Sequence, residues 1–195
     1  MQKLILAVIL IISLGLLGCS PEGADMKDKD FTLTAPNIAG YGLVPAEYTM
    51  ENPNGIGISP QLNWDNAPKG TKSFAIMVFD PDVPVDEEWL GIPPGTFPGD
   101  LFVHWIIIDI PAKERLIPKD SGMFVGIQLT NSAGMIGYLG MGPPPAHKAH
   151  GYVFVIYALG VDTLALDPSA GYMDFQQAIK GEILGMAEFT AYFGR

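Results

Sequence analysis

Cysteine and positive charge are both scarce in this chain of 195 residues. Its one cysteine excludes an intramolecular disulfide and a thiolate metal cluster. Lysine and arginine together number 11 against 21 acidic residues, so the formal net charge is −10. Such a balance disfavours broad electrostatic binding to nucleic acid or to an anionic lipid surface, and we expect no nucleic-acid partner.

Sequence signatures of common catalytic sites are absent as well. The chain has no G-x-S-x-G, no H-E-x-x-H and no G-x-x-x-x-G-K. Its only thiol lies at position 19, just after the N-terminal apolar run, which excludes a cysteine nucleophile in the domain that follows. We therefore expect neither an enzyme nor a cofactor, although hydrolysis assisted by aspartate and histidine stays open as the least favoured function.

The N-terminus has the pattern of a secretory signal. Lys3 precedes an almost wholly apolar run, 4–17, which is shorter than the roughly 20 residues needed to span a bilayer. The run ends in Leu16-Leu17-Gly18-Cys19, which resembles the lipobox of bacterial lipoproteins, where the cysteine is lipidated. The alternative is a short membrane anchor with a chance cysteine.

The lipoprotein interpretation divides the chain into three parts. A signal peptide covers 1–18, the lipidated Cys19 and a flexible tether cover 19–30, and the folded domain covers 31–195. We therefore predict an extracytoplasmic protein that is attached to a cell membrane only through its lipid anchor.

Short apolar runs dominate the domain, and few of them have the length of a helix. Runs rich in β-branched and aromatic residues predict strands, most clearly over 73–80, 103–110 and 152–159 and less clearly over 31–34 and 61–64. The chain is also interrupted by 23 glycines and 17 prolines, which favour turns over long helices. We predict a mainly β fold, a sandwich with small peripheral helices.

The last part of the chain carries the one helix signal. A capping box that begins at Asp174 predicts a short helix over 175–180, which stops at Gly181. The segment 183–192 could extend that helix or form a last strand, and its apolar alternation favours a strand.

Only three histidines are present, and two of them lie at strand ends. His104 opens one predicted strand, His150 directly precedes another, and Asp80 ends a third. Strand ends hold side chains on a rigid frame, and a carboxylate orients a nearby imidazole and favours its charged form. Together with N–H groups of the glycine-rich segment 137–142, these residues predict a small anion-binding pocket.

Less specific interpretations of the same residues stay open. A histidine at a strand end can serve the structure alone, and an aspartate before a proline commonly forms a turn. His147 lies three residues before His150 and could suggest a metal site with Asp80. That spacing is generic, however, and we predict no metal.

Two separated motifs match a known family. The first is DPDVP at 80–84, followed by His104-Trp105, and the second is GPPPAHKAHGYVF at 142–154. Through these motifs the domain resembles the bacterial branch of the phosphatidylethanolamine-binding protein (Raf kinase inhibitor protein-like) family, over about 31–195. The resemblance implies a Greek-key β-sandwich with a few short peripheral helices and a small pocket for phosphate-like or carboxylate anions.

The resemblance also implies one set of ligand-binding residues, drawn from both motifs and their surroundings. They are Asp80, Pro84, His104, Gly140, Gly142, Pro144, His150 and Tyr152. His147 matches no position of the family and is not expected to contact the ligand.

Two departures from the family pattern change what we expect. Gly151 stands where relatives usually have an arginine after the motif histidine, which leaves no permanent cation in the motif. The segment 85–103 is longer than in many relatives and acidic, so the pocket rim would favour a zwitterionic or neutral ligand over a highly charged anion.

These patterns predict a lipid-anchored protein that binds a small anionic or phospho-head-group ligand. The alternative is an inhibitor or regulator of a protein, for example of a protease, that acts through the rim segment 85–103.

Overall fold

The computed structural model describes five stretches of the chain: 29–38, 43–83, 101–120, 125–145 and 147–194. The predicted signal peptide, Cys19 and most of the tether lie outside the described residues, and so does Pro84. Within these stretches no helix is long and apolar enough to cross a membrane.

Two antiparallel sheets confirm the prediction of a mainly β domain. In chain order the described strands are β1 Thr32–Thr34, β2 Leu62–Asp65, β3 Ser73–Asp80, β4 Phe102–Pro111, β5 Leu116–Ile117, β6 Ile127–Gln128, β7 His150–Leu159 and β8 Ile183–Phe193. Every predicted strand is present, with ends that differ by at most two residues. β5 and β6 have two residues each, which is too short for an apolar pattern to predict.

The larger sheet has the order β6-β4-β3-β7-β8, and its central strands β4, β3 and β7 are buried on both faces. On one face Phe74 of β3 contacts Trp64 of the smaller sheet, β1-β2-β5, with ring centroids 5.4 Å apart. On the other face Ala75 and Met77 join an apolar cluster that includes Phe175. Because both faces are buried, the central strands are continuous apolar runs rather than alternating ones.

The helical segments are short and lie outside the sheets. A 3₁₀ helix forms at Ala46–Tyr48, and the α helix, α1, spans Tyr172–Ala178. The predicted short helix is present but begins three residues earlier than 175–180, so Asp174 lies in its first turn and not at the N-cap, which is Gly171. Oδ2 of Asp174 accepts a hydrogen bond from the backbone N–H of Gly171 at 3.0 Å, which satisfies a free donor at the helix start.

Candidate functional site

Strand pairing places the ends of β3, β4 and β7 at one end of the larger sheet. Because β3 is antiparallel to both neighbours, its last residue lies beside the residues that open them. Asp80 pairs with Phe102 at the start of β4, and the residue before Asp80 pairs with Val153 near the start of β7. The pairing therefore brings Asp80 close to His104 and His150.

Asp80 and His150 form a buried pair. Nδ1 of His150 lies 2.6 Å from Oδ2 of Asp80, and the side chains are 0% and 2% exposed. The backbone N–H of Asp82 donates to Oδ1 of Asp80 at 2.8 Å. Burial raises the pKa of Asp80, while the hydrogen bond and charge of His150 oppose that rise. Each partner depends on the other, since a lone carboxylate at this depth would be costly to desolvate.

His147 is part of this arrangement, although the sequence did not predict it there. Its Nδ1 lies 2.7 Å from Nε2 of His150, and the two ring planes are 77° apart. The backbone N–H of His147 donates to the carbonyl oxygen of Pro144 at 3.1 Å, which closes a turn and brings the ring back over His150.

Burial dominates the environment of His104. The residue is 5% exposed, and its Nδ1–H donates to the carbonyl oxygen of Leu139 at 3.0 Å. Burial lowers the pKa of His104 to about 4, against the opposing effect of the carbonyl groups of Leu139 and Gly140. His104 is therefore neutral at neutral pH and does not supply a positive charge.

Tyr152 packs between the two buried histidines. Its ring centroid lies 5.2 Å from that of His104 and 6.3 Å from that of His150, and the residue is fully buried. We call Asp80, His104, His150 and Tyr152 the inner cluster.

The predicted pocket residues from the glycine- and proline-rich loop have different environments. Gly142 and Pro144 are half-buried in the loop that leads to β7. Gly140 is buried, and a Cβ there would lie 2.6 Å from the carbonyl oxygen of Ile56 and 2.6 Å from the carbonyl carbon of Thr49. Close packing of two backbone segments therefore requires glycine at 140, independently of any ligand.

A second charged pair lies beside the inner cluster. Nζ of Lys148 is 2.6 Å from Oδ1 of Asp82, and the backbone N–H of Gly151 donates to Oδ2 at 2.9 Å. We call Asp82 and Lys148 the rim pair. The prediction that the second motif has no permanent cation was wrong, because the ammonium of Lys148 provides one.

No three histidine, cysteine, aspartate or glutamate side chains are placed to hold a metal ion in the part of the chain that the structure describes. His147 and His150 bond directly to each other at 2.7 Å, which leaves no space for an ion between their nitrogens.

Residues 34–194 match the family model described as phosphatidylethanolamine-binding protein. The chain belongs to the phosphatidylethanolamine-binding protein family. A UPF0098 protein of Aquifex aeolicus is 35% identical over 78% of this chain and 81% of its own length. The UPF0098 protein YbcL of Escherichia coli is 34% identical over 87% of this chain and 84% of its own length.

Solved structures of this family share the fold. The crystal structure of E. coli YbcL matches with a TM-score of 0.73 and 26% identity, over 86% of this chain and 99% of that one. A homologue from Chlamydia trachomatis matches with a TM-score of 0.71 and 28% identity, over 85% and 97% of the two chains.

The sequence analysis did not assign two residues of this site, because it set His147 aside and did not consider Lys148. Both lie in the segment His147-Lys148-Ala149-His150, directly after three prolines. The spacing of the histidines was the available signal, but it does not reveal that a turn folds one ring onto the other.

Proposed function

We propose that this family member is a lipid-anchored, extracytoplasmic protein that binds a small phosphate-like or head-group anion beside the inner cluster. The buried Asp80–His150 pair is the observation that carries the proposal. A buried ionisable pair often costs more in desolvation than it returns in stability. Such pairs are therefore more common at functional sites than in ordinary cores.

The surroundings of the pair support a ligand that carries both charges. The half-buried Gly142 and Pro144 precede His150 in the loop. The more exposed rim pair lies beside the buried Asp80–His150 pair. Imidazole N–H groups suit a phosphate oxygen, whereas the carboxylate of Asp82 suits an ammonium group. The family description names phosphatidylethanolamine, whose head group joins these two groups.

Calorimetric titration with inorganic phosphate and with phosphoethanolamine tests the ligand class. We expect both to bind and phosphoethanolamine to bind more tightly. His150→Asn keeps a donor toward Asp80 but removes Nε2, so it should weaken both. Lys180→Gln, which removes an exposed cation just after α1, serves as the control and should bind like the wild type. If neither compound binds the wild type at millimolar concentration, the proposed ligand class is wrong.

The lipid anchor rests on the LLGC segment and on the absence of any other cysteine. Cys19→Ser should move the protein from the membrane fraction to the soluble fraction of cells. Since a single acyl chain holds a protein only marginally, the proposal implies modification with several chains. Membrane association that survives Cys19→Ser would contradict it.

The alternative functions receive less support. The described hydrogen bonds of the three histidine rings go to Leu139, to Asp80 and to each other, and none of these partners is a hydroxyl group that could serve as the nucleophile of hydrolysis. An inhibitor acting through the rim depends on 85–103, which lies almost wholly outside the described residues, and it stays a prediction.

A further inference from the structure

His147 forms the outer end of a hydrogen-bonded chain that starts in the core. Asp80 accepts from the backbone N–H of Asp82 through Oδ1, and its Oδ2 faces Nδ1 of His150. Nε2 of His150 in turn faces Nδ1 of His147 at 2.7 Å. Exposure increases along this chain, because His150 is fully buried and His147 is half-buried.

Only one arrangement of hydrogens satisfies the chain when Asp80 is ionised and both rings are neutral. A carboxylate only accepts, so Nδ1 of His150 carries the hydrogen. A neutral imidazole has one N–H, so Nε2 of His150 accepts and Nδ1 of His147 donates to it. Nε2 of His147 is then left with a lone pair, which repels the oxygen of an anion.

One added proton changes that outer atom. If the proton stays on His147, both of its nitrogens carry hydrogen. If the charge moves inward to His150 or Asp80, the hydrogen between the rings shifts to Nε2 of His150, and His147 keeps its hydrogen on Nε2. In each case Nε2 of His147 becomes a donor, and the net charge of the chain rises from −1 to zero.

We propose that Nε2 of His147 donates to the bound anion and that the site takes up one proton from solvent with each anion. This inference rests on the proposed anion site and adds to it a ligand-contacting residue and a proton. The proton both supplies the donor and removes the negative charge that would repel the ligand.

The other titratable groups that the structure places around the two rings do not supply this proton. They are Asp82 after β3, His104 on β4, Lys148 before β7 and Tyr152 on β7. Asp82 is held ionised by Lys148, and His104 is held neutral by burial. A tyrosine ordinarily ionises only near pH ~10.

The arrangement of hydrogens can be tested in the free protein. Two-bond ¹H–¹⁵N correlation spectra of the imidazoles report which nitrogen carries hydrogen. At alkaline pH we expect hydrogen on Nδ1 in both His147 and His150. Hydrogen on Nε2 of His147 under those conditions would overturn the inference.

Calorimetric titration with inorganic sulfate tests the coupling to an anion. Sulfate itself does not ionise near neutral pH, so proton uptake measured in buffers of different ionisation enthalpy belongs to the protein. We expect uptake to approach one proton per sulfate at alkaline pH, where the affinity should fall about tenfold per pH unit.

The outcomes separate this inference from the proposed function. Sulfate binding without proton uptake overturns the inference alone. Binding of phosphate but not sulfate also overturns it alone, because His147 would then accept a hydrogen from the ligand. Failure of sulfate, phosphate and phosphoethanolamine to bind overturns the proposed function and this inference together.

Asp80→Asn should reverse the chain of hydrogen bonds. The backbone N–H of Asp82 holds the amide oxygen, so the amide nitrogen faces Nδ1 of His150 and donates to it. His150 then donates from Nε2 to His147, whose Nε2 keeps its hydrogen without an added proton. We expect sulfate binding without proton uptake, and hydrogen on Nε2 of both rings. Wild-type proton uptake by Asp80→Asn would contradict the inference.

His147→Ala tests the contact itself. Loss of a charge-assisted hydrogen bond should weaken sulfate binding at acidic pH by about tenfold or more. The control Lys180→Gln should bind sulfate like the wild type. Wild-type affinity in His147→Ala, with its folding verified by thermal unfolding, would overturn the inference.

Discussion

Asp80 and Asp82 are two residues apart in one motif, yet the fold shifts the pKa values of their carboxyl groups in opposite directions. The side chain of Asp80 is 2% exposed and pairs with the buried His150, whereas that of Asp82 is 31% exposed and pairs with Lys148. Burial raises the pKa of Asp80. Burial opposes ionisation of Asp82 as well, but hydrogen bonds from Lys148 and from the backbone N–H of Gly151 outweigh it and lower its pKa.

The difference follows from where β3 ends. Asp80 is the last residue of the strand and lies between β4 and β7, so neighbouring strands cover its side chain. Asp82 lies beyond the strand, where solvent reaches both it and its lysine partner. We therefore expect the inner cluster to be coupled to folding and the rim pair to be independent of it.

The largest expected effect comes from breaking the inner cluster. His150→Ala would leave the carboxylate of Asp80 buried without its partner, and we expect a loss of about 3–5 kcal/mol in the free energy of unfolding. Urea unfolding measures it. His150→Asn, which keeps a donor toward Asp80, is the matched control and should recover part of the loss. A loss below about 1 kcal/mol in His150→Ala would show that the buried carboxylate of Asp80 does not depend on His150 for its stability.

Acid should destabilise the protein through His104. Its pKa is about 4 in the folded state and about 6.5 when unfolded, so only the unfolded state binds the proton between these values. The stabilisation is complete above pH ~6.5 and is lost as the pH falls to ~4, by about 3 kcal/mol.

His104→Asn removes this titration while keeping a donor toward the carbonyl oxygen of Leu139. Unfolding by urea between pH ~7 and ~4 should therefore show a smaller acid-induced loss in the variant than in the wild type. If the free energy of unfolding falls equally with pH in the two proteins, burial does not lower the pKa of His104.

The inner cluster could be predicted from the sequence because the apolar runs show where the strands begin and end. Asp80, His104 and His150 each lie at or near the end of an apolar run, and the order of the motifs matches a family. The structure supports the proximity that this pattern implied, with the Asp80–His150 hydrogen bond at 2.6 Å.

The outer part of the site was not predictable in the same way. His147 and Lys148 lie in a loop whose conformation depends on a turn from Pro144 rather than on any periodic pattern. The departure of Gly151 from the family arginine was visible, but the pairing of Lys148 with Asp82 depends on a contact between residues 66 positions apart. A single sequence carries no signal for such a contact.

Gly151→Arg should sharpen the comparison because it introduces a second cation beside the rim pair. A Cβ at 151 lies 3.6 Å from Oδ2 of Asp82, so a guanidinium there can compete with Lys148. It also lies 3.1 Å from Cε1 of Tyr192, whose exposed ring must shift, and we expect a destabilisation of about 1 kcal/mol.

Amine labelling followed by mass spectrometry reports the competition in Gly151→Arg. Pairing with Asp82 raises the pKa of Lys148 and so protects its amine from acylation. Arginine at 151 should therefore increase the labelling of Lys148, while the labelling of Lys180 stays constant. Unchanged labelling of Lys148 would show that an arginine there does not reach Asp82.

Lys148→Ala should have the smallest effect on stability. Its side chain is 65% exposed, and Asp82 keeps the hydrogen bond from the backbone N–H of Gly151. Solvent and salt screen such a pair, so we expect an unfolding midpoint at neutral pH within error of the wild type. The pKa of the Asp82 carboxyl, followed by NMR, should nevertheless rise toward its ordinary value, because its main charged partner is gone. An unfolding loss as large as that of His150→Ala would mean that the rim pair, like the inner cluster, is coupled to folding.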